Sequence, residues 1–394
     1  MFSQGRDDRP NLRDTVNPGL VPFNRPLAAE RQLEYVGEVI SGGRLAGNGQ
    51  FCERVEERLE SLTTCPSVLL TTSCTHALEM TALLLDADSN SEVIVPDFTF
   101  SSTANAFAQM GLRPVFADID PHTFNISPQA VRTLITERTV AVVAMHYGGV
   151  ACDMEDLQAL CNDHQLVLIE DNAHGFGGTW NGRQLGTFGQ MATQSFHETK
   201  NVSCGQGGAL LLNHLGYEQR AEILREKGTD RTRFQRGQID KYTWKDAGSN
   251  YVLSEVQAAM LFAQLEALEV IKKNRSRACI RYSDELADWA SEQGVRFQRI
   301  PEEATPPHHL FALLMPDSSG QADLIEHLQG LGVTAVFHYQ PLHESDMGQH
   351  LGATRGSCPV SIDTSRRLVR LPVFSDMRPD EVDRVVEAVI SYRP

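Results

Sequence analysis

The eight cysteines of this sequence include no CxxC pair, so neither a zinc ribbon nor a dithiol redox motif is indicated. No apolar run approaches the roughly 20 residues that a membrane-spanning helix needs, and the N-terminus lacks the apolar core of a signal peptide. A net charge of −16 disfavours a nucleic-acid partner. We therefore expect a cytoplasmic protein with free thiols, no metal site, no nucleic-acid partner and no membrane insertion.

Short apolar runs alternate with helix-like segments over most of the chain. Runs that are apolar on both faces are typical of strands covered by helices on both sides. The sequence places such runs at 68–71, 92–95, 114–117, 141–145, 166–169 and 209–212. This alternation predicts an α/β fold whose large domain contains a mostly parallel sheet.

The length of 394 residues favours two domains. We predict a flexible N-terminal arm at 1–19, a large domain at 20–269 and a smaller α+β domain at 270–394. Ser254 and Gln257 fit a capping box at the start of the helix that leads into the second domain. Further elements are predicted there, namely strands at 309–315 and 333–337 and helices at 321–330 and 380–391.

The segment 195–200 ends in Lys200 and is followed by a glycine-rich stretch at 205–208. Pyridoxal phosphate (PLP) enzymes need a lysine beside the sheet, near small residues that let the cofactor approach. The alternative is a loop lysine exposed to solvent, which is the more common fate of a lysine. Whether Lys200 is a PLP-binding lysine therefore has to be judged together with the motifs that precede it in the chain.

An apolar run upstream ends in Glu170 and Asp171. Because ligands of open α/β sheets bind beyond the carboxyl ends of the strands, a carboxylate there could pair with the pyridine nitrogen of PLP. Asp171 is the better candidate, and its alternative role is to cap a helix starting at Ala173. His174 could contact the cofactor ring, or it could be an ordinary helix residue.

Small hydroxyl residues stand between the first strand and the helix that follows it, at 71–76. Free amides and the helix dipole favour a phosphate at such a position, although plain N-capping is equally compatible. Ser195 could add a further hydroxyl. After the next strand, Phe98 or Phe100 could stack on a pyridine ring, while a core position is the alternative for each.

These motifs, together with 248–251 and 257–259, resemble those of the DegT/DnrJ/EryC1/StrS family of sugar aminotransferases, which have the fold-type I architecture of aspartate aminotransferase. The resemblance covers residues 20–394. Segments 196–201 and 240–244 are most similar to a branch that forms dTDP-4-amino-4,6-dideoxygalactose for enterobacterial common antigen.

The resemblance implies roles for individual residues. Lys200 and Asp171 would be catalytic, with Lys200 holding PLP covalently and Asp171 pairing with its ring nitrogen. Asn250 would reach the cofactor of a neighbouring subunit, which implies a homodimer with shared sites. The other implied cofactor contacts are Ser73, Cys74, Thr75, Phe100, His174 and Ser195. The implied substrate contacts are Tyr339 and His343. Arg231 is a further candidate because it belongs to a basic cluster after the sheet that could hold the pyrophosphate of a nucleotide, although a solvated basic loop is equally compatible.

The expected activity is amino transfer from L-glutamate to a dTDP-linked 4-keto-6-deoxy sugar. Alternatives are an aminotransferase with another sugar carbon or stereochemistry, and a PLP-binding regulator without turnover. A metal hydrolase is a weaker alternative, because the histidines at 308, 309, 338 and 343 lack ligand spacing and an evident acidic partner.

Overall fold

A computed structural model describes residues 19–351 and 356–393. The predicted arm at 1–19 lies outside this part of the chain, apart from Gly19. The strands are β1 (Ser67–Thr71), β2 (Glu92–Pro96), β3 (Arg113–Ala117), β4 (Thr139–Met145), β5 (Val167–Asp171), β6 (Thr179–Trp180), β7 (Arg183–Gln184), β8 (Met191–Ser195), β9 (Gly208–Leu212), β10 (Arg296–Phe297), β11 (Ala304–Thr305), β12 (Phe311–Leu314), β13 (Val336–Phe337) and β14 (Leu368–Leu371).

Helices cover both faces of the main sheet and one side of a second sheet. They are α1 (Gln32–Gly42), α2 (Gln50–Thr63), α3 (Cys74–Leu84), α4 (Ser102–Gln109), α5 (Pro128–Leu134), α6 (Met154–Asp163), α7 (Glu218–Arg225), α8 (Arg231–Gln235), α9 (Glu255–Glu266), α10 (Leu268–Glu285), α11 (Ala287–Gln293), α12 (Ser319–Gly330), α13 (Asp346–Leu351), α14 (Pro359–Arg367) and α15 (Pro379–Ser391). Within the described ranges, none of these helices is long and apolar enough to cross a membrane.

The main sheet has the strand order β1-β9-β8-β5-β4-β2-β3. The neighbouring pairs among β8, β5, β4, β2 and β3 are parallel, and β9 runs antiparallel to both β8 and β1. The predicted α/β fold with a mostly parallel sheet is therefore confirmed. Alternate residues of one strand face opposite layers: Leu69 packs in the cluster with α3 and α4, whereas Val68 and Leu70 pack with α2 and α9.

Strand β8 was not predicted, because Thr193, Gln194 and Ser195 make this segment polar. It nevertheless lies inside the sheet with every residue buried. The buried polar atoms are satisfied locally; for example, Gln194 Oε1 accepts a hydrogen bond from Asn172 Nδ2 at 3.0 Å. Polar side chains can be buried in this strand because they form hydrogen bonds with neighbouring residues. The strand therefore lacks the apolar run from which the other strands were predicted.

The C-terminal part contains an antiparallel sheet of order β10-β12-β14-β13. Its core includes residues of α10, α11, α12 and α15, and also Val21 from the start of the described chain. The predicted segment 309–315 contains β12 and 333–337 contains β13, whereas β10 and β14 were missed. Because α10 contributes to the cores of both parts, the division between residues 269 and 270 stays a prediction.

The predicted capping box at α9 is half correct. Gln257 N donates to Ser254 Oγ at 3.3 Å, as expected. The side chain of Gln257 does not cap the Ser254 amide; its Nε2 donates to Gln206 O at 2.6 Å instead. Because Gln206 lies in the loop before β9, this contact fastens that loop to the helix.

Candidate active site

A cavity of about 640 Å³ opens where β1, β5 and β8 end. Most of the site residues proposed from the sequence line it, so motifs far apart in the chain are brought together. They are Ser73, Cys74, Thr75, Phe100, Asp171, His174, Ser195, Lys200 and Tyr339.

Lys200 lies in the loop between β8 and β9. Backbone hydrogen bonds close this loop, from Phe196 N to Gly207 O at 2.8 Å and from Lys200 N to His197 O at 2.9 Å. The side chain lines the cavity, where burial lowers the pKa of the ammonium group from 10.5 to about 8, against the attraction of Cys74 and Asp171. A substantial fraction of the amine is therefore neutral near pH 8, as a nucleophile or base must be.

Asp171 is the last residue of β5 and is buried. Its Oδ2 accepts a hydrogen bond from Thr103 Oγ1 at 2.7 Å, and its Oδ1 accepts one from Ala173 N at 3.2 Å. Burial raises the pKa of the carboxyl group, while these bonds and the charge of Lys200 oppose the rise. Asp171 also caps the segment after it, but that segment is a turn and not the helix considered as an alternative.

The start of α3 forms a cradle for an anion. The N-cap residue Ser73 accepts a hydrogen bond from His76 N at 3.1 Å, and Thr75 Oγ1 lies 2.8 Å from Ser102 Oγ. Gly208 approaches the backbone of Ser73 and Cys74 so closely that a Cβ atom would collide with it. The N-terminus of α3 thus combines backbone amides, the hydroxyls of Ser73 and Thr75, and the positive end of the helix dipole. This combination fits a phosphate group.

The two phenylalanines after β2 have different environments. Phe98 is a core residue, whereas Phe100 is 57% exposed and borders the cavity. His174 Nδ1 accepts a hydrogen bond from Gly148 N at 3.3 Å, so the neutral ring carries its proton on Nε2. That proton is directed towards the side of the cavity where Tyr339 Oη lies, 3.5 Å from Nε2.

Three polar residues that line the cavity from the C-terminal part were not selected as site residues from the sequence, namely His309, His338 and Arg370. His309 Nδ1 lies 2.9 Å from Oδ1 of Asn201, the residue after Lys200. His309 had been considered only as a metal ligand, His338 only as part of a segment, 337–343, that resembles the family's stretch near the sugar nucleotide, and Arg370 carried no signal in the sequence. Its position on β14, a strand that was also missed, explains the omission.

Three predicted contacts do not line the cavity. Arg231 and Asn250 are exposed, so their proposed roles stay predictions. His343 Nδ1 lies 2.7 Å from Oδ2 of the buried Asp97, an acidic partner that the sequence did not reveal. Candidate ligand atoms of Asp97, His343 and Cys358 all lie within 4.8 Å of one another, and burial raises the pKa values of both Asp97 and Cys358.

The DegT/DnrJ/EryC1/StrS aminotransferase family model matches residues 26–390. The chain belongs to this family. It is 29% identical over 385 residues to the spore coat polysaccharide biosynthesis protein SpsC of Bacillus subtilis, covering 94% of this chain and 96% of SpsC.

Two solved structures extend the comparison. The aminotransferase TlmJ of Streptoalloteichus hindustanus is 27% identical, with a TM-score of 0.87 and coverage of 95% of this chain and 98% of TlmJ. The putative sugar aminotransferase Spr1654 of Streptococcus pneumoniae, in its PLP form, shares the fold at 21% identity, with a TM-score of 0.87 and coverage of 94% and 98%.

Family membership makes the chain a sugar aminotransferase with PLP as its cofactor, which confirms the predicted enzyme class and cofactor. The residues around the cavity fit this cofactor. The α3 cradle suits its phosphate, Asp171 suits its ring nitrogen, and Lys200 suits its aldehyde. All eight cysteines are free thiols, as expected.

Proposed function

We propose that this enzyme transfers the amino group of L-glutamate to C4 of dTDP-4-keto-6-deoxyglucose. The products would be 2-oxoglutarate and dTDP-4-amino-4,6-dideoxygalactose. The observation that carries the amino-transfer part is the placement of Lys200, with its lowered pKa, in one cavity with the buried carboxylate of Asp171.

When bound, PLP supplies an aldehyde for covalent attachment and a pyridine ring that accepts electrons. The neutral amine of Lys200 would then act as the base that moves the proton from the α-carbon of glutamate. Asp171 would hold a proton on the ring nitrogen, since the hydrogen bonds from Thr103 and Ala173 keep its carboxylate in place. His174 would donate its Nε2 proton to the ring oxygen of the cofactor.

The sugar-nucleotide substrate is proposed because two segments of the sequence, 196–201 and 240–244, resemble the branch of the family that forms dTDP-4-amino-4,6-dideoxygalactose. The first contains Lys200 and borders the cavity, and the second is largely exposed, with Trp244 79% exposed. A cavity of about 640 Å³ lies within the size range typical of small-molecule sites, roughly 300–1,000 Å³. Such a volume leaves room for a sugar beside the cofactor.

A homodimer with shared sites is part of the proposal. Asn250 is exposed and does not line the cavity of its own chain, as expected of a residue that serves a second copy. Nearby aromatic side chains are also exposed, including Phe234 at 43% and Tyr242 at 48%. Aromatic residues are enriched in the buried centres of interfaces, which supports this surface as the contact.

The deciding experiment uses the purified enzyme with PLP and measures the visible absorbance of the cofactor. L-glutamate should convert the cofactor to its amine form, and dTDP-4-keto-6-deoxyglucose should convert it back while an amino sugar appears in the mass spectrum. Conversion by glutamate without reversal by this sugar would overturn the substrate. NMR of the product would overturn the stereochemistry if the amine at C4 were equatorial.

Subunit mixing tests the shared site. Lys200→Ala and Asn250→Ala chains, each impaired alone, should regain activity when mixed, because each mixed dimer would contain one site with both native residues. Elution of the wild type as a monomer in light scattering, or no recovery on mixing, would contradict the dimer proposal.

A further inference from the structure

A cluster outside the cavity brings together three side chains of the types that bind metal ions. Asp97 follows β2, His343 lies in the single turn at 342–344, and Cys358 precedes α14. One candidate ligand atom from each residue lies within 4.8 Å of the other two, and none of the three residues lines the cavity. The fold therefore places a carboxylate, an imidazole and a thiol from three distant segments at one point.

Asp97 and His343 contact each other twice. The side chain of Asp97 is fully buried, and its Oδ1 accepts a hydrogen bond from His343 N at 2.9 Å. Its Oδ2 lies 2.7 Å from His343 Nδ1. Because the backbone contact fixes one carboxylate oxygen, the other oxygen and Nδ1 are held side by side. Both are ligand atoms that zinc commonly takes.

The charge of the Asp97 carboxylate is not balanced by a basic side chain. Burial raises the pKa of this carboxyl group, and the groups that oppose the rise are the amide and ring of His343 and the hydroxyl of Ser361. No arginine or lysine of the described residues is among them. Because buried charges are normally paired or coordinate a metal, a cation at this point would remove a cost.

Cys358 supplies a thiol that its neighbours hold only weakly. It is 1% exposed, and its Sγ donates to Phe116 O at 3.9 Å. The buried thiols of Cys65 and Cys152 contact carbonyl oxygens more closely, each at 3.3 Å. A thiolate is a soft ligand that favours zinc and disfavours magnesium and calcium.

Ser361 lies beside the cluster with an unused hydroxyl group. Its amide donates to Asp118 Oδ1 at 2.9 Å, which fixes the start of α14. Its buried Oγ has no hydrogen-bond partner among the residues that the structure describes, although it is near enough to Asp97 to affect that carboxyl group. A buried hydroxyl without a partner is unfavourable. A water molecule on a metal ion in the cluster would satisfy it.

We propose that Asp97, His343 and Cys358 bind a zinc ion, with a water molecule beside Ser361 as the fourth ligand. Zinc accepts oxygen, nitrogen and sulfur together in tetrahedral sites. A carboxylate, a thiolate and a neutral imidazole balance its double charge, which suits a buried position.

The dimensions of the cluster fit such an ion. Zinc bonds of about 2.0–2.3 Å at tetrahedral angles separate the ligand atoms by roughly 3.3–3.6 Å. This range lies between the 2.7 Å of the contact between Asp97 and His343 and the 4.8 Å that spans the cluster. Small side-chain movements are therefore enough, and the 14% exposure of the His343 side chain gives the ion access from solvent.

The ion would connect the end of β2 with two segments of the C-terminal part. It would take no part in amino transfer, because its ligands lie outside the cavity. Tyr339, four residues before His343, does line the cavity, so the ion would help to fix this residue. No spacing motif indicated the site, because its three ligands are far apart in the sequence.

The test adds Co²⁺, a spectroscopic substitute for zinc, to the full-length PLP-loaded enzyme after treatment with a chelator. Tetrahedral cobalt with a thiolate ligand should give strong visible bands and a sulfur-to-cobalt charge-transfer band in the difference spectrum, and zinc should displace it. Elemental analysis should find stoichiometric zinc, with a Kd below about 1 μM by calorimetry. Saturating zinc should raise the Tm by about 2–4 °C.

Two thiol variants provide the comparison. Cys358→Ala should remove the charge-transfer band and weaken zinc binding by about 100-fold or more. Cys161→Ala removes an equally buried thiol outside the cluster, 1% exposed like Cys358, and should leave both readouts unchanged. His343→Gln can still donate a hydrogen bond to Asp97 but ligates zinc poorly, so it should also weaken binding and keeps the test valid if Cys358→Ala misfolds.

A wild type that binds neither zinc nor cobalt would overturn the proposal. Zinc binding that Cys358→Ala and His343→Gln leave unchanged, or a cobalt spectrum without the charge-transfer band, would also overturn it. None of these readouts involves turnover, so a failure of the proposed function would leave them unaffected.

Discussion

The two walls of the cavity differ in how the chain assembles them. The wall on the main sheet is built from short contiguous motifs at strand ends, including Ser73 with Thr75, Asp171 and Lys200. The opposite wall collects single residues from separate places in the C-terminal part, including His309, His338 and Arg370. The residues proposed to hold the cofactor therefore lie in short sequence motifs. The residues of the opposite wall are far apart in the sequence and are brought together only by the tertiary structure.

Replacing Lys200 with alanine should have the largest effect, because it removes the only reactive amine of the sheet wall among the residues lining the cavity. We expect turnover to fall by about 10⁴-fold or more. The visible absorbance of the covalently held cofactor should disappear, while the α3 cradle should still bind PLP weakly. Retained absorbance together with full turnover would refute the assignment of Lys200.

Asp171→Asn should have the next largest effect. The Oδ1 of asparagine can still accept the hydrogen bond from Ala173 N, and its Nδ2 can donate to the Thr103 hydroxyl in place of the bond that Asp171 accepts, so the fold should be preserved. It cannot hold a proton on the ring nitrogen by charge, and we expect turnover to fall about 10³-fold. Thermal unfolding provides the control for stability, and near-normal turnover would show that another group serves the ring nitrogen.

The pH dependence of cofactor attachment tests the electrostatics of the sheet wall. The neutral amine of Lys200 is the nucleophile, and it predominates above the pKa of about 8. The rate at which the apoenzyme attaches PLP should rise about tenfold between pH 7 and pH 9 and then level off. A rate that keeps rising towards pH 10.5, the ordinary value, would show that Lys200 is solvated.

The sequence allowed the sheet wall to be predicted almost residue by residue. Apolar runs locate the strands, and in an α/β sheet the residues just after them must meet at one edge. Asp171 and Ser73 were found in this way, whereas Lys200 was found from the segment 195–200 and the glycine-rich stretch after it; the family resemblance supplied the roles of all three. Strand β8 was the exception, because its polar residues are buried by hydrogen bonds that no periodicity reveals.

The opposite wall could not be predicted on the same principle. Arg370 and His338 lie on or beside short strands of an antiparallel sheet, where local pattern does not determine which side chains face the cavity. Tyr339 came from the resemblance alone. His343 was proposed together with Tyr339, but its side chain contacts Asp97. It lies only four residues after Tyr339, which lines the cavity. Such positions follow from packing between distant segments.

Asn201 connects the two walls and offers the subtlest test of how far they depend on each other. It follows Lys200, its Nδ2 donates to Pro307 O at 2.9 Å, and its Oδ1 lies 2.9 Å from His309 Nδ1. Asn201→Ala should lower turnover about tenfold and stability by about 1–3 kcal/mol, because buried partners lose their hydrogen bonds. Asn201→Asp keeps the acceptor for His309 and should recover most of the turnover but not the stability. Equal turnover of the alanine and aspartate variants would mean that His309 needs no positioning and that the walls act independently.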